Sequence, residues 1–160
     1  MSDASTRFLR YERPPFVAQL PLDSRYTTRH AWLTAQPDGR WRVGWTQFAT
    51  RQLGETVEHA FVVKTATIIA CDQIIGWVEG FKAIVDIDSV AAGEFLGGNP
   101  ALVKQPDLLN DDPLGSGWLY EVAGTPGPGT LTVREYRDLL DRTIDRLREQ
   151  HGRDAGNCLR

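Results

Sequence analysis

The sequence predicts a mainly β domain with the architecture of a sandwich or a flattened barrel. Between Ala31 and Val122, short runs rich in β-branched and aromatic residues follow one another closely and are separated by turn residues. The length of 160 residues corresponds to one domain, and a content of 41% apolar and 24% charged residues is typical of a globular protein. A helical pattern near the carboxyl terminus adds one amphipathic helix.

The first 24 residues are polar and then punctuated by prolines. Pro14 and Pro15 stand together, which favours extended backbone because each ring fixes φ near −65°. Residues 1–24 are therefore predicted to form an extended N-terminal arm, with an unstructured tail as the alternative. Several apolar side chains favour an arm that lies against the body, namely Phe8, Tyr11, Phe16 and Val17.

Residues 25–124 are predicted to form the β domain. The sequence Pro37-Asp38-Gly39 indicates a turn, and Phe48–Leu53 indicates a helical turn that ends at Gly54. A short helix is predicted over residues 100–109. Strands are predicted over Ala31–Gln36, Trp41–Trp45, Val57–Val63, Thr67–Ile69, Ile74–Val78, Ile84–Ile87, Glu94–Leu96 and Trp118–Val122.

A hinge and a helix follow the β domain. Thr125–Gly129 is rich in proline and glycine, which breaks regular structure. Residues 130–150 are predicted to carry a helix from Val133 to about Gln150, opened by a capping box of Thr132 and Glu135. Its single apolar stripe favours packing on the domain over a partner surface. The tail, residues 151–160, is predicted to be disordered.

Composition argues against several classes of protein. The net charge of −3 offers no basic field for nucleic acid. No apolar run reaches membrane-spanning length and no secretory signal opens the chain, so we expect a cytoplasmic protein without membrane contact. Cys71 and Cys158 form no metal-ligand spacing, and we expect reduced thiols and no metal.

Lys82 is the residue whose chemical type is most informative. The chain has fifteen arginines and only three lysines, Lys64, Lys82 and Lys104. Lys82 lies between two predicted strands, and Gly80 permits a tight bend between them. A lysine supplies a primary amine that can be acylated, which a guanidinium does not. The alternative is an ordinary surface lysine in a hairpin.

Ordered motifs surround Lys82 over about 98 of the 160 residues, from Arg25 to Val122. Their order and spacing resemble the H protein of the glycine cleavage system, a lipoyl carrier. The segments, with the family patterns they resemble, are Tyr26–Trp32 (YTxxHxW), Val43–Ala49 with Gln52–Glu55 (VGITxxAxxxLG), Gly76–Ala83 (GxVESVKA), Asp86 with Gly93 and Glu94 (SDxxSPxSGE), Asn99–Leu102 (NxxL) and Asn110–Leu119 (NxDPxGxGWL).

The resemblance implies a fold and a cofactor. The fold would be a lipoyl-domain-like hybrid sandwich, or barrel-sandwich hybrid, and the chain would be a monomeric carrier rather than an enzyme. Lipoate would be amide-linked to Lys82 by a lipoate–protein ligase. Glu79, Gly80, Phe81 and Ala83 would form the recognition hairpin around it. Glu79 either orients that hairpin for the ligase or is a solvated strand carboxylate. A biotin carrier is disfavoured, because its modified lysine usually lies between methionines.

The resemblance also implies a cleft in which the loaded arm rests. Trp77, Phe81 and Trp45 are candidates for its apolar lining, although all three also suit an ordinary core. His30 and His59 are the histidines of the globular part, and His30 belongs to a motif with a structural role. No nucleophile–base pair is apparent, which argues against a free-standing enzyme.

Departures from the family pattern raise alternatives for the cargo. The family's serine and valine before the lysine are Gly80 and Phe81, and the small residues after it are Ile84 and Val85. These larger apolar residues favour a branch of H-like lipoate-binding proteins that serves a heterodisulfide-reductase-like complex in bacterial sulfur oxidation. Shuttling of an aminomethyl group among the glycine cleavage enzymes is the alternative. An unmodified binding or regulatory module is a third.

Overall fold

The computed structural model describes residues 7–158, and of residues 153–158 it describes the backbone alone. Strands dominate it, as predicted. They are Phe8–Arg13 (β1), Phe16–Pro21 (β2), Arg25–Tyr26 (β3), Ala31–Ala35 (β4), Arg40–Trp45 (β5), Thr56–Phe61 (β6), Ile68–Ile69 (β7), Ile74–Gly80 (β8), Ile84–Asp88 (β9), Ala91–Gly98 (β10) and Tyr120–Pro126 (β11). The helices are Gln47–Leu53 (α1), Pro100–Lys104 (α2), Leu108–Asp111 (α3) and Val133–Cys158 (α4), with a 3-10 turn at Pro37–Gly39.

Two antiparallel sheets form the body. The larger has the strand order β3-β4-β5-β11-β10-β7, and the smaller has the order β6-β8-β9. Inward-facing residues of both sheets enter one buried cluster. The cluster combines Leu33, Val43, Phe95, Tyr120 and Val122 from the large sheet with Ile75, Val78 and Ile87 from the small one. The predicted sandwich-like fold is therefore confirmed.

The predicted N-terminal arm folds back on itself. Strands β1 and β2 pair in an antiparallel hairpin in which Arg13 lies opposite Phe16, so Pro14 and Pro15 make the connection. The inward side chains Tyr11, Phe16, Ala18 and Leu20 are buried. The arm therefore packs against the body as its apolar residues predicted, but as a hairpin rather than as a single extended segment. Residues 1–6 of the predicted arm lie outside the described residues.

The hairpin and α4 share a second buried cluster. Tyr11, Phe16 and Leu20 from the hairpin meet Tyr136, Leu140 and Ile144 from α4. The predicted capping box is present: Thr132 donates its backbone N–H to Glu135 Oε1 at 2.9 Å, and Glu135 donates its own to Thr132 Oγ1 at 3.2 Å. The apolar stripe of α4 therefore belongs to the core.

Two predicted helix boundaries are wrong. Helix α4 continues to Cys158 instead of ending near Gln150, so residues 151–158 of the predicted disordered tail are helical. No proline follows Gln150, and neither Gly152 nor Gly156 stops the helix. The helix predicted over 100–109 is split into α2 and α3, because Pro106 lacks a backbone N–H and disfavours helical backbone at Gln105.

Candidate functional site

Lys82 lies in the connection between β8 and β9. Glu79 pairs with Ile84 across the two strands, so four residues from Gly80 to Ala83 form the turn. Gly80 donates its backbone N–H to the Ala83 carbonyl at 2.8 Å and closes it. Strand β8 is held on both sides, by β6 and by β9, which makes the base of this hairpin rigid.

The turn is docked on the C-terminal end of α1. Lys82 donates its backbone N–H to the Leu53 carbonyl, and Phe81 donates its own to the Glu55 carbonyl, both at 3.0 Å. Gly80 permits this approach, because a Cβ there would lie 2.3 Å from the Leu53 carbonyl oxygen. The turn is therefore fixed at both its base and its tip.

The side chain of Lys82 is exposed and lies along the end of α1. Its Nζ donates to the Arg51 carbonyl at 3.3 Å. Gly54 has φ +77°, and a Cβ there would lie 2.9 Å from Lys82 Cγ, so glycine leaves room for the lysine stem. This region is a shallow groove of about 350 Å³, here called the lysine groove. It is lined by Phe16, Val17, Gln47, Thr50, Arg51, Gly54, Lys82 and Asn110.

A larger cleft of about 610 Å³ adjoins β9. Ile84 and Val85, which follow Lys82 closely in the chain, line it together with Trp45. Its polar lining contains three carboxylates and one guanidinium. Arg29 Nη1 donates to Asp88 Oδ2. Asp72 and Asp86 are the two lining carboxylates that do not form this ion pair. The cleft therefore combines apolar side chains with an excess of negative charge.

The three residues predicted to line the cleft lie in different places. Trp45 lines the cleft, whereas Trp77 is half-buried on β8 and Phe81 is 76% exposed; neither of these lines it. Glu79 is half-buried at the end of β8. Phe81 and Ala83 lie in the turn beside Lys82, and a role of this hairpin in recognition stays a prediction.

The histidines lie in structural positions. His30 Nδ1 is 2.8 Å from the Tyr136 hydroxyl oxygen, and its ring packs against Phe48. Burial lowers the pKa of His30 to about 4 and also lowers the pKa of His59. Neither residue lines the lysine groove or the cleft. Their neutral rings serve packing.

Cys71 lines the cleft and is half-buried. Burial, with a smaller contribution from Asp72, raises the pKa of its thiol. The thiolate is the reactive form, so the raised pKa makes Cys71 a weak nucleophile.

Comparisons with known proteins decide the family. The family model described as "Glycine cleavage H-protein" matches residues 24–136. The chain belongs to the glycine cleavage H-protein family. A relative from Pseudoalteromonas atlantica, a glycine cleavage system H protein, is 36% identical over 128 residues, which covers 78% of this chain and 98% of the relative. The corresponding protein of Halorhodospira halophila is 34% identical over 129 residues, covering 78% and 97%.

A solved structure agrees with the assignment. The glycine cleavage system H protein from Mycobacterium marinum superposes with a TM-score of 0.67 at 34% identity, covering 73% of this chain and 95% of that one. H proteins carry cargo and do not catalyse, so this chain is a carrier and not an enzyme. In the part of the chain that the structure describes, no helix is both long enough and apolar enough to cross a membrane.

Sequence reasoning missed several residues of this region. Arg29 and Asp88 come from segments far apart in the chain, and no local pattern predicts their ion pair. The contact between Leu53 and Lys82 is equally non-local. The residue pattern around Gly54 did signal a helix end, but not that the lysine turn would dock there.

The buried His30 predicts a pH dependence of stability. Below about pH 6.5 the unfolded chain binds a proton at His30 that the folded chain, with a pKa of about 4, does not bind. The free energy of unfolding should therefore fall as the pH is lowered from about 6.5 to 4, by up to about 1.4 kcal/mol per pH unit from this residue. Denaturant unfolding of the wild type and of His30→Asn at several pH values measures this loss of stability.

Asparagine suits this control, since it does not titrate and tolerates the positive φ of 70° at residue 30. The wild type should lose more stability than His30→Asn across this range. Parallel curves for the two proteins would mean that His30 is accessible to protons in the folded state.

Proposed function

We propose that this protein is a lipoyl carrier of the glycine cleavage type, with lipoate attached to Lys82. The observation that carries the proposal is an exposed primary amine on a turn fixed by backbone hydrogen bonds at its base and tip. The residues present fit the group: the amine lies at the wall of an open groove, and apolar Trp45, Ile84 and Val85 line a cleft nearby.

Each residue of the site has a task in this proposal. Lipoate supplies, when bound, a dithiolane that takes part in redox and group-transfer reactions. The protein supplies position. Gly80 lets the turn approach α1, Gly54 leaves room for the lysine stem, and the Leu53 carbonyl holds the backbone of Lys82. A fixed attachment point restricts the volume that a long arm explores, which raises its effective concentration at a docked enzyme.

The charge of the cleft favours a cationic cargo. Three carboxylates, Asp72, Asp86 and Asp88, outnumber the single guanidinium of Arg29 among the charged lining residues. An aminomethyl group carries an amine that such carboxylates attract. The comparisons likewise favour glycine cleavage over the sulfur-oxidation role expected from the bulk near Lys82. We therefore infer a lipoate–protein ligase and the glycine cleavage enzymes as partners.

One observation keeps the sulfur-oxidation role as a second candidate. Phe81 and Ile84 are 76% and 69% exposed on either side of Lys82. Exposed apolar side chains of this size form a surface for a partner protein, and they replace the smaller residues of the family pattern. In this second candidate the partner would be a heterodisulfide-reductase-like complex. A direct assay of glycine cleavage separates the two.

Replacing Lys82 by arginine tests the attachment site. The side chain is exposed and the charge is kept, so the free energy of unfolding should change by no more than about 0.5 kcal/mol. Incubation with ligase, lipoate and ATP should add one lipoyl group to the wild type and to Lys64→Arg, and none to Lys82→Arg. Intact-mass spectrometry measures the additions. A lipoylated Lys82→Arg protein would refute this attachment site.

Asp86→Asn tests the cargo. Asp86 is exposed, so solvent screens its attraction for an amine to about 0.2–1 kcal/mol, and glycine–bicarbonate exchange with purified glycine cleavage enzymes should slow by up to about fivefold. Asp38→Asn, in an exposed turn on another part of the domain, is the isosteric control and should leave the rate unchanged. Absence of exchange with the lipoylated wild type and enzymes from the same host would favour the sulfur-oxidation role.

A further inference from the structure

The N-terminal hairpin lies outside the matched family residues 24–136, yet it reaches the lysine groove. Phe16 and Val17 of β2 line the groove together with Lys82. Phe16 is buried, whereas Val17 is 46% exposed. A segment additional to the matched domain thus contributes an apolar wall beside the amine.

Contacts with α4 fix the position of this wall. Tyr11 donates its hydroxyl hydrogen to Asp141 Oδ1 at 2.6 Å, and Arg13 donates to Asp141 Oδ1 at 3.1 Å and to Asp145 Oδ1 at 2.6 Å. The Tyr11 hydrogen bond, followed by Arg13, lowers the pKa of the Asp141 carboxyl. Arg148 also donates to the Pro14 carbonyl at 2.8 Å. The hairpin is thus attached to α4 by several polar contacts in addition to the shared core.

The hairpin is attached to α1 as well. Gln19 donates its backbone N–H to Gln47 Oε1 at 2.6 Å, and the rings of Phe16 and Phe48 meet edge-on with centroids 5.6 Å apart. The Arg51 guanidinium lies over the Phe16 ring at 5.5 Å, while the Arg51 carbonyl accepts from Lys82 Nζ. The hairpin, the end of α1 and the lysine therefore form one continuous surface.

We propose that the N-terminal hairpin, through Val17, forms part of the surface that the lipoate-attaching enzyme recognises; this rests on the proposed function. In the attachment reaction, Lys82 Nζ loses a proton and then attacks the carbonyl carbon of an activated lipoyl adenylate. An amide bond forms, the bond from the carbonyl carbon to the phosphate oxygen breaks, and AMP leaves. Because the amine lies in the groove, an enzyme that brings the acyl donor to it must cover the groove walls. Val17 and the exposed Phe81 are the apolar side chains that such an enzyme would bury.

The chain offers a matched control for the test. Phe8 lies on β1 of the same hairpin, is 42% exposed and pairs with Pro21 at the end remote from the Pro14–Pro15 connection. It does not line the lysine groove. Val17→Asp and Phe8→Asp therefore place the same charge on the same hairpin, at the groove and away from it.

The experiment measures lipoylation rates with ligase from the same host, free lipoate and ATP, at carrier concentrations below saturation. Val17→Asp should lower kcat/KM roughly tenfold or more, whereas Phe8→Asp should change it less than about twofold. Modification of Lys82 by a small acetylating reagent, followed by peptide mass spectrometry, should be the same in all three proteins. Circular dichroism melting checks that each is folded, and Val17→Gln replaces Val17→Asp if that variant unfolds.

Equal kcat/KM for the wild type and the groove variant would overturn the inference and leave Lys82 attachment intact. A parallel loss of reactivity towards the small reagent would also overturn it, because the hairpin would then act on the amine and not on the enzyme. No lipoylation of the wild type by the ligase would instead refute the proposed function.

Discussion

Two backbone hydrogen bonds hold the Lys82 turn against the C-terminal end of α1, from Lys82 to Leu53 and from Phe81 to Glu55. Leu53 is fully buried, so the acceptor side of this contact is part of the core and does not move independently. Glycine at residue 54 lets the chain leave the helix and leaves space for the lysine stem. The position of the amine therefore follows from the packing of the whole sandwich and not from the local hairpin alone.

A second core joins the additional segments to this body. Tyr136 of α4 stacks on Tyr26 with ring centroids 4.7 Å apart and makes hydrogen bonds with His30 and Thr46. Thr46 is the N-cap of α1, the helix on which the lysine turn docks. The C-terminal helix, the N-terminal hairpin and the lysine site are thus mechanically connected through α1. This connection explains how segments outside the matched family region contribute to the carrier surface.

The sequence predicted the local features and missed the non-local ones. The β8–β9 turn at Lys82, the capping box at Thr132 and the end of α1 at Gly54 depend on nearby residues and were predicted correctly. The N-terminal hairpin was not predicted, because its pairing is stabilised by contacts with α4 more than 100 residues away. The exposure of Phe81 was missed for the same reason: only the docked turn decides which way its side chain faces. The large apolar residues near Lys82 led to the expectation of a role in sulfur oxidation. The carboxylates of the cleft, which favour a cationic cargo, come together only in the folded chain.

The central claim is that Lys82 carries lipoate. Peptide mass spectrometry of the protein isolated from its own host tests it most directly, because no foreign ligase or partner is involved. We expect a single lipoyl adduct, located on Lys82 and absent from Lys64 and Lys104. An unmodified Lys82 in cells that lipoylate their other carriers, or an adduct on another lysine, would contradict it.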